Sequence, residues 1–223
     1  MMDLTDILLP YQDEKYKAFT ERLVQTKYPI IGVRVPALKN ITKKLLNENS
    51  NFWKNIIFNS RESILIYGFS LSSMNLTRFD FCKQLEKAFL SFDNWETTDL
   101  LSSSFKGWKN WLDDGYSYLE TLLLNDNPFV VRFAIVMYLN YYLNTDYFED
   151  ILKRLVILNN QHYYVKMAIA WLMSMAYVKN AELAMNYIKL LDAWTYRKTI
   201  QKCIESRQIP LQERKKLRLL ETY

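Results

Sequence analysis

Val131-Arg132-Phe133-Ala134-Ile135 and Val165-Lys166-Met167-Ala168-Ile169 are near copies of one segment, 34 residues apart. Each stands early in an apolar run. Each carries one basic residue at its second place and no other charge over the next ten positions. Runs of this length, free of glycine and proline, read as helices. A helix that recurs with a period in the thirties or forties is the mark of stacked helix pairs. The pattern favours an α-solenoid over a closed bundle, with equivalent helices lining one concave face. Arg132 and Lys166 would then point into that groove together. An unpaired buried charge is costly, so each must snorkel to water, meet an anion such as phosphate, or pair with a neighbouring carboxylate. The sequence leaves these readings open.

Helical periodicity continues outward from the two segments. Towards the C-terminus, helices are expected over 147–158, 163–177, 181–192, 195–206 and 211–220. Towards the N-terminus, Asn125-Asp126-Asn127-Pro128 starts the helix that runs to about Leu143, preceded by a helix over 116–124 and a segment over 106–112. A longer helix over 76–92 should bury Phe79, Leu85, Ala88, Phe89 and Phe92. A pair over 51–59 and 62–74 comes before it. The helix over 36–47 presents Leu38, Ile41, Leu45 and Leu46, and that over 13–26 presents Tyr16, Phe19, Leu23 and Val24. Between these two, Tyr28-Pro29 and Gly32 break the pattern, and Pro36 suits a first helical turn. No hairpin signal interrupts the series. The chain reads as all-α, a single domain over residues 1–223.

Composition agrees. With 50% hydrophobic and 24% charged residues the chain is globular and not disordered. Four glycines and five prolines are too few for a many-turned β fold. Cys82 and Cys203 form no pairing motif, which suits a reducing compartment. The start, Met-Met-Asp-Leu-Thr-Asp, is acidic where a secretory signal is basic. The best bilayer candidate, 129–143, is short and contains Arg132. A cytoplasmic, soluble protein is expected, without membrane contact.

The net charge of +5 is unevenly placed. From Trp194 to Tyr223, Arg197, Lys198, Lys202, Arg207, Arg214, Lys215, Lys216 and Arg218 face only Glu205, Glu213 and Glu221. Eight bases against three acids account for the whole excess. A second basic group, Arg34, Lys39, Lys43 and Lys44, lies near the other end. Such patches suit a polyanion, and they equally suit a solvated surface.

One further stretch carries chemistry: Asp93-Asn94-Trp95-Glu96-Thr97-Thr98-Asp99-Leu100-Leu101. On a helix, Trp95 and Asp99 share a face one turn apart. An indole beside a carboxylate can hold a sugar or base and meet a developing positive charge. The plainer reading makes Asp93 a cap and Glu96 the partner in a capping box, with Trp95 in the core. Other chemistries have little support. His162 is the only histidine, which excludes a histidine-dependent triad or a multi-histidine metal site. No phosphate-binding glycine loop or Cys-x-x-Cys pair occurs. Trp108, Trp111 and Trp194 read as core residues at helical spacing.

The order of these motifs is informative. Ile30-Ile31-Gly32-Val33-Arg34-Val35-Pro36-Ala37-Leu38 and the lysine-rich helix after it resemble the start of the DNA alkylation repair family, the AlkD-like glycosylases. Trp95-x-x-x-Asp99, the Val-Val-Arg132-x-Ala-Ile helix and the Lys166-x-Ala-Ile-Ala-Trp171 helix follow in the family's order. The resemblance spans about Tyr11 to Leu220. It implies an α-solenoid of HEAT-like repeats that wraps duplex DNA in a concave basic groove. It implies excision of cationic alkylpurines of the 3-methyladenine and 7-methylguanine type, in base excision repair. A monomer without metal or cofactor is expected. Asp99 would be the catalytic carboxylate, Trp95 and Trp171 would embrace the lesion nucleotide, and Arg132 would contact the backbone beside it. Lys166, Arg34, Lys39, Lys43, Arg197 and Lys198 are the further DNA contacts expected here. Two positions depart from the pattern: Glu96 and Phe133 stand where relatives often carry an aromatic and a basic residue. The alternative is a non-catalytic HEAT-like module that binds DNA or a protein.

The chemistry fits one carboxylate. A cationic alkylpurine is already a good leaving group, so no general acid is required. What remains is stabilising an oxocarbenium-like sugar and orienting water. Indole faces add cation–π attraction to the charged base, on the order of 0.5–2 kcal/mol each.

Overall fold

The computed structural model describes residues 1–220, and every regular element among them is helical. The chain divides into two compact units, with the boundary between Trp111 and Leu112. The first contains α1 (Thr5–Leu8), α2 (Glu14–Leu23), α3 (Val35–Glu48), α4 (Arg61–Ser73), α5 (Arg78–Phe89) and α6 (Trp95–Ser104). The second contains α7 (Leu112–Leu122), α8 (Pro128–Tyr141), α9 (Phe148–Ile157), α10 (Tyr163–Lys179), α11 (Ala181–Ile188), α12 (Ala193–Glu205) and α13 (Leu211–Leu220).

Short polar residues set the helix starts. Asp13, Ser60, Thr77, Asn94, Asn127, Asn180 and Asp192 each accept a first-turn amide. Pro36 and Pro128 sit in the first turn of α3 and α8, where no amide donor is needed. In the first unit α4 is central, packed against α3, α5 and α6. In the second unit α10 lies between α8 and α12, while α11 packs on both α9 and α10. Alternate helices therefore form layers, the repeat-like arrangement of an α-solenoid. The two echo segments begin α8 and α10, which touch directly. Both helices are apolar nearly all round, and α8 buries every residue from Val130 to Tyr138.

Three expectations need correction. Residues 51–59 do not form an α-helix. A single 3-10 turn, Phe52–Asn55, buries Phe52 and Trp53, and the chain then runs extended past the N-terminus, where the Met2 amide donates to the Asn55 carbonyl at 2.6 Å. In α5 Phe81 is buried in place of Phe79, which is 70% exposed, while Leu85, Ala88 and Phe89 are buried as expected. The Thr77 cap fixes the phase, so that Phe81, Leu85 and Phe89 fall on one line of i, i+4 spacing. In α2, Phe19 and Leu23 face outward, and Thr20 with the following Val24 makes the contact. Among the described residues no helix is long and apolar enough to cross a membrane. Of the charges counted in the basic tail, Glu221 lies outside the described residues.

Candidate functional site

In the first unit the site is built on the start of α6. Asn94, not Asp93, is the cap: its side-chain oxygen accepts the Thr97 amide at 2.9 Å. Asp93 has a different task. Its carboxylate accepts the Thr26 hydroxyl at 2.9 Å and the Lys27 amide at 2.8 Å, tying the loop after α2 to α6. Trp95 is half-buried, and its indole N–H donates to the Leu23 carbonyl at 3.3 Å. Asp99, one turn on, is also half-buried, and its Oδ1 accepts the Thr98 hydroxyl at 3.2 Å.

Glu96 does not close a capping box. It holds Arg61 at the start of α4, with Nε and Nη2 each 2.6 Å from a carboxylate oxygen. Arg61 has no exposed surface. Its Nη1 reaches Glu62 at 3.0 Å, and its Nη2 reaches the Tyr16 hydroxyl at 3.2 Å. Burial works against the guanidinium charge, but the bonds and charge of Glu96 outweigh it and hold the pKa above its ordinary value. Glu62, also fully buried, turns the other way and accepts the amides of Ile31, Gly32 and Val33 at 3.0–3.3 Å. Gly32 can offer its amide because its φ is +96°, a conformation side chains resist, and a Cβ there would strike Lys17. α6 also sits very close to α4: a Cβ at Gly68 would collide with the buried Leu101.

In the second unit, Arg132 on α8 is 6% exposed, and its Nη1 donates to the Tyr164 carbonyl in the first turn of α10 at 2.8 Å. Lys166 on α10 pairs with Asp192 at 2.8 Å and lies 5.1 Å from the centre of the Trp194 ring. The carboxylate alternative therefore holds for Lys166. Asp192 caps α12 through the amides of Trp194 and Thr195. Burial opposes its charge, but the Lys166 and Thr195 bonds hold its pKa at about 2. Trp171, on α10 beyond Lys166, is half-buried.

The tryptophans divide into two kinds. Trp108 is 1% exposed and packs edge-on to Phe81 and Trp111, as the sequence suggested for a core residue. Trp95 and Trp171 have no ring partner among the described residues. Trp111 and Trp194 are corrections: both are half-buried, Trp111 against Phe81 and Trp108, and Trp194 edge-on to Tyr163 with Lys166 and Lys198 over its ring. Of the other basic residues expected at the DNA, Arg34 is 60% exposed but bound to Asp13 at 2.9 Å, and Arg197 is exposed. Lys39 and Lys43 are exposed on α3.

Against known families, the model described as DNA alkylation repair enzyme matches residues 4–204. The chain belongs to the DNA alkylation repair enzyme family. The match covers α1 to the end of α12, apart from Glu205, and so includes every side chain described above. No match was found among curated proteins. Membership assigns the chain a part in repair of alkylated DNA, and DNA as the family's substrate. Among the described residues no cluster of three histidine, cysteine, aspartate or glutamate side chains is placed to hold a metal ion. Sequence reading missed the Arg61–Glu96 clamp, and it allowed Lys166 a carboxylate partner without pointing to Asp192. Each pair joins residues more than 25 positions apart, and no local pattern announces them.

Proposed function

We propose that this protein is a monofunctional DNA glycosylase that excises positively charged N-alkylpurines, such as 3-methyladenine and 7-methylguanine, from duplex DNA. The observation that carries the reading is the start of α6. Trp95 and Asp99 share a half-exposed face, Trp95 has no ring partner among the described residues, and the Arg61–Glu96 ion pair anchors the first turn of α6 to α4. A tryptophan kept only for the core would be sealed like Trp108.

The roles follow from the chemistry. The Asp99 carboxylate stabilises positive charge that develops on the deoxyribose as the glycosidic bond breaks, and it orients the attacking water. The alkylated purine leaves as a neutral base because it begins as a cation, so no second acid is needed. Glu96 is occupied by Arg61 and takes no part in proton transfer. Trp95 and Trp171 offer indole faces to the lesion nucleotide, Arg132 serves its backbone phosphates, and Lys166 does so on exchanging Asp192 for a phosphate. Arg34, Arg197 and Lys198 add sequence-independent phosphate contacts.

The test is release of methylated base from duplex DNA. Asp99→Asn should lower the single-turnover rate by about 10²–10³-fold, the usual cost of one transition-state contact of this kind, with duplex affinity kept within a few-fold. Full release by the variant removes Asp99 from catalysis. No release by the wild-type chain, with affinity that still falls steeply as salt rises, leaves a DNA-binding module without glycosylase activity.

A further inference from the structure

The indole of Trp95 is held at both ends. Its root is the first residue of α6, whose carbonyl accepts the Thr98 hydroxyl at 2.8 Å. Its tip is the N–H that donates to the Leu23 carbonyl at 3.3 Å. A side chain with two torsions, fixed at root and tip, keeps one plane. That plane is only as well defined as the carbonyl that receives the N–H.

Leu23 is the last residue of α2, so its carbonyl is among those a helix leaves without a partner in its own ladder. Were α2 one turn longer, the amide of Lys27, four residues on, would close on that carbonyl. Instead the Lys27 amide donates to Asp93 Oδ2 at 2.8 Å. The start of α6 thus divides one potential helical bond of α2 between two of its own residues: Asp93 takes the donor and Trp95 takes the acceptor. Other contacts keep Asp93 in this place. Both of its oxygens accept the Thr26 hydroxyl at 2.9 Å, and Oδ1 accepts the Asn94 side-chain amide at 2.8 Å. Thr26 in turn accepts the Tyr28 amide at 3.1 Å, which holds the chain in its turn away from the helix. Asn94 supplies the cap of α6, so the carboxylate of Asp93 is not needed for that task.

We propose that Asp93 is a positioning residue for Trp95. It keeps the Lys27 amide off the Leu23 carbonyl, leaves that carbonyl to the indole, and so sets the plane that the indole turns to the lesion nucleotide beside Asp99. Without the carboxylate, the Lys27 amide competes for the same oxygen and the ring loses its fixed tip. The functional part of the proposal rests on the glycosylase reading; the hold of Asp93 on the indole does not.

The test uses the full chain labelled with nitrogen-15. The Trp95 indole signal is the one missing from Trp95→Phe. In Asp93→Ala this signal should move, and its proton should exchange with water about ten-fold faster. Single-turnover release of 7-methylguanine should slow about ten-fold, since a misplacement near 1 Å is costly, while affinity for undamaged duplex stays within a few-fold. Thr26→Val, which removes one of the three groups donating to Asp93, should shift the signal the same way by less. In the Trp95→Phe background there is no N–H to orient, so adding Asp93→Ala should cost almost nothing more. An indole signal that does not respond to Asp93→Ala overturns the proposal. So does a displaced signal with release unchanged, or an equal loss of rate in both backgrounds, which would make Asp93 a general support of the fold. If the wild type releases no base, the glycosylase reading falls by itself, and the indole signal still decides whether Asp93 holds Trp95.

Discussion

A guanidinium with no exposed surface has to find its counter-charge inside the protein. Arg61 finds it in Glu96, through two short parallel bonds, and the pair is thereby a clamp on the start of α6. Asp192 is a second residue whose charge is set by its neighbours. Its carboxyl group titrates at about 2 when folded, against 3.8 ordinarily. A depressed carboxylate adds stability above its unfolded pKa and loses it as the pH falls through the folded one. The window here is from about pH 4 down to 2. The side chain is 47% exposed, so solvent and salt reduce the contribution to about 1 kcal/mol. Asp192→Asn should lower the urea midpoint at pH 7 and flatten its decline between pH 4 and 2. Identical acid profiles for the two proteins would show that Lys166 gains nothing from this partner.

At the scale of elements, the glycine in α4 decides how near α6 can come. Gly68→Ala should push Leu101 and with it α6 outward, at a cost of about 1–3 kcal/mol in urea unfolding. Leu101→Ala in the same chain should recover part of that loss, since the added methyl then occupies vacated space. If the two effects simply add, the close approach is not what links the helices. The helices themselves were largely legible in the sequence, since apolar period, caps and prolines act locally. Errors arose where local signals were balanced. Asp93 and Asn94 are both good caps, and only the Thr26–Lys27 loop claims Asp93. Phe79 and Phe81 compete for one stripe, and the Thr77 cap selects Phe81. Around the proposed site, Trp95, Asp99, Arg132 and Lys166 are the candidates that spacing and family likeness offer. Arg61 and Glu62 are not among them, because Glu96 and the Ile31–Val33 amides come from distant segments.

For the whole molecule, the net charge is +5, and the residues from Trp194 onward carry all of it. The preceding 193 residues are neutral in sum. Long-range attraction to a polyanion therefore originates in α12, α13 and the turn between them, whatever the short-range contacts elsewhere. Lys215→Gln, Lys216→Gln and Arg218→Gln together take the charge from +5 to +2. Stopped-flow association with duplex should slow several-fold at low salt and converge with the wild type at high salt. If the two rates coincide at low salt, the tail is only solvated surface.

The Glu62 carboxylate has one more consequence. Loop amides normally trade their hydrogens with water quickly, and those of Ile31, Gly32 and Val33 lie in a loop. All three are bound to a carboxylate that has no exposed surface, so opening the loop strands a charge next to Arg61. These amides should exchange as slowly as those in the middle of α4. They become an internal gauge: a substitution anywhere on the chain that quickens deuterium uptake at Ile31 and Gly32 has loosened the frame that holds α6, even where circular dichroism registers no change.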